Sequence, residues 1–360
     1  MFNFEVTVLG ASGGPDAGDT QCFMVRPSGS RDLRSICVDG GAGVGQIARI
    51  LSQAKDMSRP QLIESFYFND FEPADQFFDP RTPVKLGFPT DLVENVSSNT
   101  WKRALQFYKG IKEYYITHAH LDHIAAMVMN SPMAYDGECI SGKKLWGLPF
   151  TMDAIKRHVF NDLIWPDLLD GTASRLKLDS LAELRLHNCE TFPQWDIIPL
   201  KVHHGFGVSE PSSRIYSTIY LFIDKHSGSG IVICGDLEQD HASDKLPLLE
   251  EAWDYIAKHI SHRRLKGIII ECSSWTATQQ TELYGHMSPT YLVPALNRLQ
   301  RQYQEPDALR DLEVVITHVK KAISDKDPRL IILKELRDQA HATQLHVRFS
   351  IAIQGYTFQF

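Results

Sequence analysis

The sequence lacks the features that mark membrane-spanning, disulfide-rich or nucleic-acid-binding chains. No apolar run approaches the roughly 20 residues that a membrane-spanning helix needs. None of the six cysteines forms a CxxC pair, which argues against sulfur ligation of a metal. The net charge of -7 disfavours binding of long nucleic acid, because such binding normally requires a basic face. No linker rich in Pro, Gly or Ser divides the 360 residues, so we expect a single domain over residues 1–360.

The cysteines and the first residues favour a reducing compartment. All six cysteines are expected to be buried free thiols, and Cys37 and Cys234 stand in apolar runs; the six are Cys22, Cys37, Cys139, Cys189, Cys234 and Cys272. The N-terminus has no basic segment and no small-residue cleavage site, and residues 4–9 read as a first strand. We therefore expect a cytoplasmic protein.

Short β-type runs alternate with turns and amphipathic helices along most of the chain. The predicted strands are 4–9, 22–25, 35–39, 114–117, 144–148, 184–187, 197–202, 217–223, 230–234, 267–270, 312–317 and 345–360. The predicted helices are 43–54, 124–129, 151–169, 246–259, 289–304 and 331–341. Strands followed by helices, twice over, predict two sheets packed together with helices outside.

Residues 55–110 are less regular and dense in aromatic and acidic side chains. We interpret this stretch as an insertion that covers part of a functional site. A helical surface elaboration with its own small core is the alternative.

The segment His118-Ala-His120-Leu-Asp122-His123 is the most informative feature. Imidazole nitrogen and carboxylate oxygen are ligands that zinc and similar metals prefer. A single metal could not easily take all four side chains from so short a segment. The spacing therefore suggests two metals, an arrangement typical of hydrolases that cleave phosphoesters or amides.

Further candidate ligands follow other predicted strands. His203 and His204 come directly after the strand ending at Val202, Asp236 follows residues 230–234, and His318 follows residues 312–317. Side chains at strand ends project without disturbing a sheet. The sequence thus offers enough donors for a dinuclear site.

The stretch from His118 to Pro132 resembles the class II cyclic-nucleotide phosphodiesterases of the metallo-β-lactamase superfamily. Their pattern is HxHLDH, an apolar residue, a small residue two further on, an apolar stretch, and Ser-Pro or Ser-Ala. Ala126 stands where Gly or Ser is expected. The resemblance continues in residues 8–15, 38–41, 204–205, 235–236, 271–274, 285–289 and 317–320. It implies an α/β fold of four αββα layers, with two central mixed sheets flanked by helices.

The resemblance also implies the metal ligands. One metal would be bound by His118, His120, His204 and Asp236, and the other by Asp122, His123, His318 and the same Asp236. His203 is the alternative to His204, which we prefer because the family places this ligand directly before glycine. Asp39 is expected to orient a ligand imidazole, unless it only forms the turn before Gly40. Two divalent metals are expected, zinc first and manganese or iron as alternatives.

The implied activity is hydrolysis of 3′,5′-cyclic nucleotides, cAMP or cGMP, to 5′-monophosphates. The catalytic candidates are Asp122, His286 as general acid, and Glu271 as the carboxylate that holds His286. An RNA 3′-processing nuclease, or a hydrolase of sulfate esters, lactones or thioesters, stays an alternative. The expected partner is a small cyclic nucleotide, with no membrane and no long nucleic acid, and a homodimer is left open. Phe66, Tyr67, Phe68 and Phe71, or Phe77 and Phe78, are candidates for stacking on the base.

Overall fold

Two units of the chain each contain a β-sheet with parallel and antiparallel strands. The computed structural model describes residues 2–53, 67, 74–89, 92, 99–135, 142–169, 176–210, 212–241 and 244–360. The first unit comprises Met1–Arg59, Pro83–Pro193 and Ile353–Phe360. The second comprises Pro60–Thr82 and Gln194–Ala352. Mixed sheets with helices confirm the α/β class that the alternating pattern predicts.

The sheet of the first unit has the strand order β4-β15-β1-β2-β3-β5-β6-β7. Its strands are β1 Phe4–Gly10, β2 Cys22–Pro27, β3 Ser35–Val38, β4 Val84–Leu86, β5 Ile111–Tyr115, β6 Lys143–Gly147, β7 Leu176–Ser180 and β15 Tyr356–Gln359. Strands β3, β5, β6 and β7 are mutually parallel, and the others pair antiparallel. The described helices of this unit are α1 Val44–Gln53, α2 Thr100–Gly110, α3 Leu121–Asn130 and α4 Pro149–His158.

Apolar helix faces build the core of the first unit. Helix α1 buries Ile47 and Ile50 and packs against α2, which buries Phe107. These side chains join one cluster with sheet residues such as Tyr114 and Leu145. Burial of apolar area of this kind is the main favourable term in folding.

The sheet of the second unit includes the strand order β14-β13-β12-β11-β10-β9. Its strands are β9 Trp195–Phe206, β10 Arg214–Asp224, β11 Gly230–Cys234, β12 Leu265–Glu271, β13 Glu313–Thr317 and β14 Arg348–Ile351, and a short β8, His187–Asn188, precedes β9 in the chain. Strands β11 to β14 are parallel, whereas β9, β10 and β11 pair antiparallel. The helices are α5 Leu248–His259, α6 Pro289–Gln302 and α7 Pro328–Ala342, and α6 packs against both α5 and α7.

Three predicted elements differ from the structure. Residues 345–360 form two strands in different sheets, because the chain turns at Gly355, whose φ of 87° is left-handed. The strand predicted over 184–187 is largely a turn, with Leu184 at a φ of 58° and Leu186 exposed. The helix predicted over 151–169 ends at His158, since the Asn161 side chain accepts hydrogen bonds from the following backbone and closes a turn.

The cysteines among the described residues are buried. Cys22, Cys37, Cys189, Cys234 and Cys272 are buried free thiols, as predicted. Cys139 lies outside the described residues, as do Phe66, Phe68 and Phe71. Within residues 55–110, β4 belongs to the first sheet and α2 to the first unit, and the covering of a site by this stretch stays a prediction. In the described part of the chain, no helix combines the length and apolarity needed to cross a membrane.

Candidate metal centre

The ligand-type side chains of the first unit follow two neighbouring parallel strands. Strands β3 and β5 end at Val38 and Tyr115, which are register partners. The backbone N–H of Asp39 donates to the carbonyl of Tyr115 at 3.0 Å. Asp39 and the segment that begins at Thr117 therefore leave the sheet at the same edge, where loops of α/β sheets build their sites.

Asp39 is a fully buried carboxylate with donors on both oxygens. It accepts hydrogen bonds from the Thr117 backbone N–H (2.8 Å) and hydroxyl (2.9 Å) and from Gln21 Nε2 (3.0 Å). His123 Nδ1 donates to the same carboxylate at 2.8 Å. Because Nδ1 is occupied, Nε2 is the atom of His123 that can bind a metal. The contact expected between Asp39 and an imidazole is present.

Two glycines allow helix α3 to lie against the end of β3. A Cβ atom on Gly40 would lie 2.4 Å from Met127 Cβ, and one on Gly41 would lie 2.0 Å from the carbonyl oxygen of Asp122. No side chain fits at either distance, so the close approach requires glycine. The first turn of α3, which carries Asp122 and His123, is thereby fixed beside Asp39.

Three histidines of the first unit, His118, His120 and His123, lie close together. Ring centroids are 4.5 Å apart for His118 and His120, and 4.1 Å apart for His118 and His123. His118 and His123 are buried, whereas His120 is exposed and Asp122 is half-buried. Asp122 Oδ2 lies 3.9 Å from His123 Nε2. Imidazoles gathered with a carboxylate in this way are a donor set for a cation.

Parallel strand ends also gather the candidate residues of the second unit. Strands β11, β12 and β13 are parallel neighbours, and Asp236, Glu271 and His318 stand at or just beyond their carboxyl ends. Strand β9 pairs antiparallel with β10, which pairs antiparallel with β11, so β9 runs in the same direction. His204, near the end of β9, consequently lies at the same edge of the sheet.

Asp236 is the buried carboxylate that faces the imidazoles of this unit. Its Oδ2 lies 3.1 Å from His318 Nε2 and 3.7 Å from His204 Nε2. The same oxygen lies 3.8 Å from His286 Nδ1. One aspartate therefore stands within reach of both sequence-predicted histidine ligands.

Hydrogen bonds orient His204 and His318 so that Nε2 faces Asp236. His204 Nδ1 donates to the carbonyl of Gly285 at 2.9 Å. The Ser273 hydroxyl donates to Glu271 Oε2 at 2.7 Å, so its oxygen accepts from His318 Nδ1 at 3.0 Å. Such partners on the second nitrogen fix the tautomer and aim the ligand atom of a metal-binding histidine.

Glu271 and His286 form the buried pair that the sequence predicts. His286 Nδ1 lies 2.9 Å from Glu271 Oε1, and Glu271 also accepts from the backbone N–H of Leu237 (2.8 Å) and Met287 (3.2 Å). Burial would raise the pKa of Glu271, but the charge and hydrogen bond of His286 outweigh it and lower that pKa. Burial would lower the pKa of His286, but Glu271 outweighs it and raises that pKa.

His203 turns away from Asp236, in contrast to His204. Its Nε2 lies 3.2 Å from the carbonyl oxygen of Leu246, and its ring lies against Tyr216. His203, Asp240 and Asp244 do bring three possible ligand atoms together. Asp240, however, accepts from the first backbone N–H groups of α5, and Asp244 pairs with Arg214. A helix cap and an ion pair therefore explain why His203, Asp240 and Asp244 lie together.

The donor chemistry of both units fits divalent metals. The candidate groups consist of imidazole and carboxylate, the ligand classes of zinc and related cations. Sequence reasoning did not single out Gln21, Thr117 or Ser273 as partners of these groups. Ser273 lies inside the 271–274 motif, so the sequence did indicate a position near the site. Its contact with His318 could not be predicted, because that contact depends on the register of β12 and β13.

Comparison with known proteins identifies the family of the chain. Residues 36–355 match the family model of the class-II cAMP phosphodiesterases. The chain is 43% identical to 3′,5′-cyclic-nucleotide phosphodiesterase 1 of Saccharomyces cerevisiae, with 99% of each protein covered. It is 26% identical to a 3′,5′-cyclic-nucleotide phosphodiesterase of Candida albicans, covering 98% of this chain and 99% of that protein.

Solved structures identify the fold. The chain superposes on the crystal structure of unliganded yeast PDE1 with a TM-score of 0.95 at 43% identity, and all of each chain is covered. The metallo-β-lactamase fold protein YhfI from Bacillus subtilis superposes with a TM-score of 0.55 at 13% identity, again over all of each chain. The fold expected from the sequence is thus confirmed as the metallo-β-lactamase fold. By its family match and its full-length relatives, the chain belongs to the class-II cAMP phosphodiesterases.

Proposed function

We propose that this chain hydrolyses the phosphodiester of 3′,5′-cyclic nucleotides to give 5′-nucleoside monophosphates. The full-length identity of 43% to a 3′,5′-cyclic-nucleotide phosphodiesterase carries the proposal. The paired imidazole and carboxylate clusters support it, because phosphodiesters resist attack by water without electrophilic assistance.

The proposal assigns seven side chains to two divalent metals, zinc first and manganese or iron as alternatives. The proposed ligands of one metal are His118, His120, His204 and Asp236, and those of the other are Asp122, His123, His318 and Asp236. The partners of Nδ1 on His123, His204 and His318 support the use of Nε2 on each. Two metals, when bound, supply an acidified water and a positive field for the phosphoryl oxygens.

The chain itself provides the proton that the leaving group needs. A 3′-alkoxide is a poor leaving group unless it is protonated as the bond to phosphorus breaks. Glu271 occupies Nδ1 of His286, so the proton available for transfer is the one on Nε2. In this proposal His286 is the general acid, Glu271 holds its tautomer, and Asp122 is a catalytic residue as well as a ligand.

The remaining proposals concern substrate and setting. The substrate is cAMP, cGMP or both. The free thiols among the described residues are buried, which supports a reducing compartment such as the cytoplasm. The net charge of -7 supports a small substrate over a long RNA. A homodimer stays a prediction.

The first prediction concerns the substrate. Purified, metal-loaded protein should convert cAMP or cGMP to the 5′-monophosphate, and EDTA treatment should abolish the conversion. The measurement is product identification by chromatography, alongside a bis(aryl) phosphodiester and a precursor tRNA. Cleavage of the artificial diester alone would discard the cyclic-nucleotide assignment and direct attention to sulfate esters, lactones and thioesters. Cleavage of the tRNA would favour an RNA nuclease.

The second prediction separates metal binding from proton transfer. Asp236→Ala should lose both bound metal and activity, because the carboxylate faces two proposed histidine ligands. His286→Ala should keep its metal and lower kcat by roughly 10²- to 10⁴-fold, the usual contribution of a general acid. Metal is measured by elemental analysis, with the exposed His259→Ala on α5 as the matched control. A metal-free His286→Ala protein would contradict the proposed role.

The third prediction concerns the buried carboxylate of the first unit. Asp39→Asn should weaken metal affinity by about 10- to 100-fold, because an amide no longer fixes the tautomer of His123. The measurement is metal titration of the metal-depleted protein, with circular dichroism to verify folding. Asp153→Asn, in an exposed pair on α4, is the control and should leave affinity unchanged. Unchanged affinity in Asp39→Asn would show that this contact does not serve the metal site.

A further inference from the structure

The end of strand β9 and the loop that precedes α6 contact each other through glycine backbone. A Cβ atom on Gly285 would lie 2.6 Å from Gly205 Cα, and one on Gly205 would lie 3.1 Å from Gly285 Cα. Both glycines have a left-handed φ, 77° for Gly205 and 84° for Gly285. The His204 imidazole donates to the carbonyl of Gly285, which is a second contact between the two segments. The backbone next to His204, a proposed metal ligand, is thus held against the backbone next to His286, the proposed general acid.

Each of these two segments carries an exposed aromatic ring next to its glycine. Phe206 follows Gly205 and is 46% exposed, and Tyr284 precedes Gly285 and is 74% exposed. The aromatic residues that the sequence offered for stacking differ, since Tyr67, Phe77 and Phe78 are buried. Scattered exposed apolar side chains need no explanation. The position of these two, beside His204 and His286, is what suggests a role.

Phe206 is held in place before any ligand arrives. The guanidinium carbon of Arg214 lies 4.0 Å from the ring centroid, a cation–π contact that covers one face. Arg214 in turn pairs with the buried carboxylates of Glu238 and Asp244. An aromatic surface fixed in this way loses little conformational entropy when a planar group stacks on it.

We propose that Phe206 and Tyr284 bind the nucleobase of the substrate by stacking. The inference rests on the proposed function and extends it from the phosphate to the base. In a cyclic nucleotide a single ribose separates the phosphorus from the base. A phosphate beside His204 and His286 therefore leaves the base about one ribose away in space, and the exposed rings next to Gly205 and Gly285 are candidates to receive it. Stacking accepts any base, because every base has a π-face, so this surface accepts adenine and guanine alike.

The experiment compares a natural substrate with one that has no base. KM and kcat are measured for cAMP and for the 3′,5′-cyclic phosphate of 1-O-methylribose, with Phe206→Ala and Tyr284→Ala. In both variants the ratio of KM for cAMP to KM for the base-free substrate should rise by roughly 5- to 100-fold over the wild-type ratio. This factor corresponds to the free energy of stacking between a base and an aromatic ring. The effect on kcat should be smaller than the effect on KM.

Conservative variants and a neighbouring control separate stacking from general disturbance. Phe206→Trp and Tyr284→Phe keep a flat ring and should keep the ratio of the two KM values within about twofold of wild type. Val208→Ala, at an exposed position two residues beyond Phe206, should leave both KM values unchanged. An alanine variant that raises both KM values equally, or neither, would overturn the role of that ring.

A binding measurement keeps this test independent of the proposed reaction. Calorimetry gives the affinities of the metal-loaded protein for 5′-AMP and for ribose 5-phosphate. A preference for 5′-AMP that Phe206→Ala removes would support the base site even if the wild-type protein turned over no cyclic nucleotide. Equal affinities of the wild-type protein for the two ligands would overturn it, whatever the activity.

Discussion

A carboxylate can be fully buried only where donors surround it, and this requirement organises the candidate residues of both units. Asp39 accepts hydrogen bonds from Gln21, Thr117 and His123. Glu271 accepts from the backbone after Asp236, from Ser273 and from His286. Each carboxylate stands at or just beyond the end of a buried strand and draws neighbouring loops to it. The sheets provide the edges, and the carboxylates determine which side chains meet there.

The orientation of the imidazoles follows from the same hydrogen bonds. A histidine has two nitrogens, and a partner on Nδ1 leaves Nε2 to bind a metal. Asp39 provides that partner for His123, the carbonyl of Gly285 for His204, and Ser273 for His318. Ser273 also bonds to Glu271, so a proposed ligand and the proposed acid–carboxylate pair share one hydroxyl. A proposed dinuclear site and its general acid thus depend on a small set of buried polar groups.

Much of this could be predicted from the sequence, because apolar runs that end in ligand-type residues are local features. The strands before Asp39, His118, Asp236 and His318 are of this kind, and the structure contains all of them. Other features depend on contacts that no local pattern reports. The two strands within residues 345–360 join different sheets. The exposed alternation of residues 184–187 resembles a strand, but of these residues only His187 lies in one, the short β8.

Exposure was the hardest property to predict at the site. The aromatic residues near position 77 drew attention because they are clustered, yet Phe77 is fully buried and cannot receive a base. Phe206 and Tyr284 stand singly in the sequence, and their two segments meet through Gly205 and Gly285 and through the hydrogen bond from His204 to Gly285. The preference for His204 over His203 came from the glycine that follows it, and the contact of His204 with Asp236 supports that preference.

The central proposal is that the two ligand sets proposed above bind two divalent metals and share Asp236. A crystal structure of the metal-loaded protein, with anomalous diffraction measured at the absorption edge of the metal, tests it most directly. The account predicts two peaks, one contacted by His118, His120 and His204 and the other by Asp122, His123 and His318, with Asp236 contacting both. A single peak, or a peak at His203, Asp240 and Asp244 instead, would contradict it.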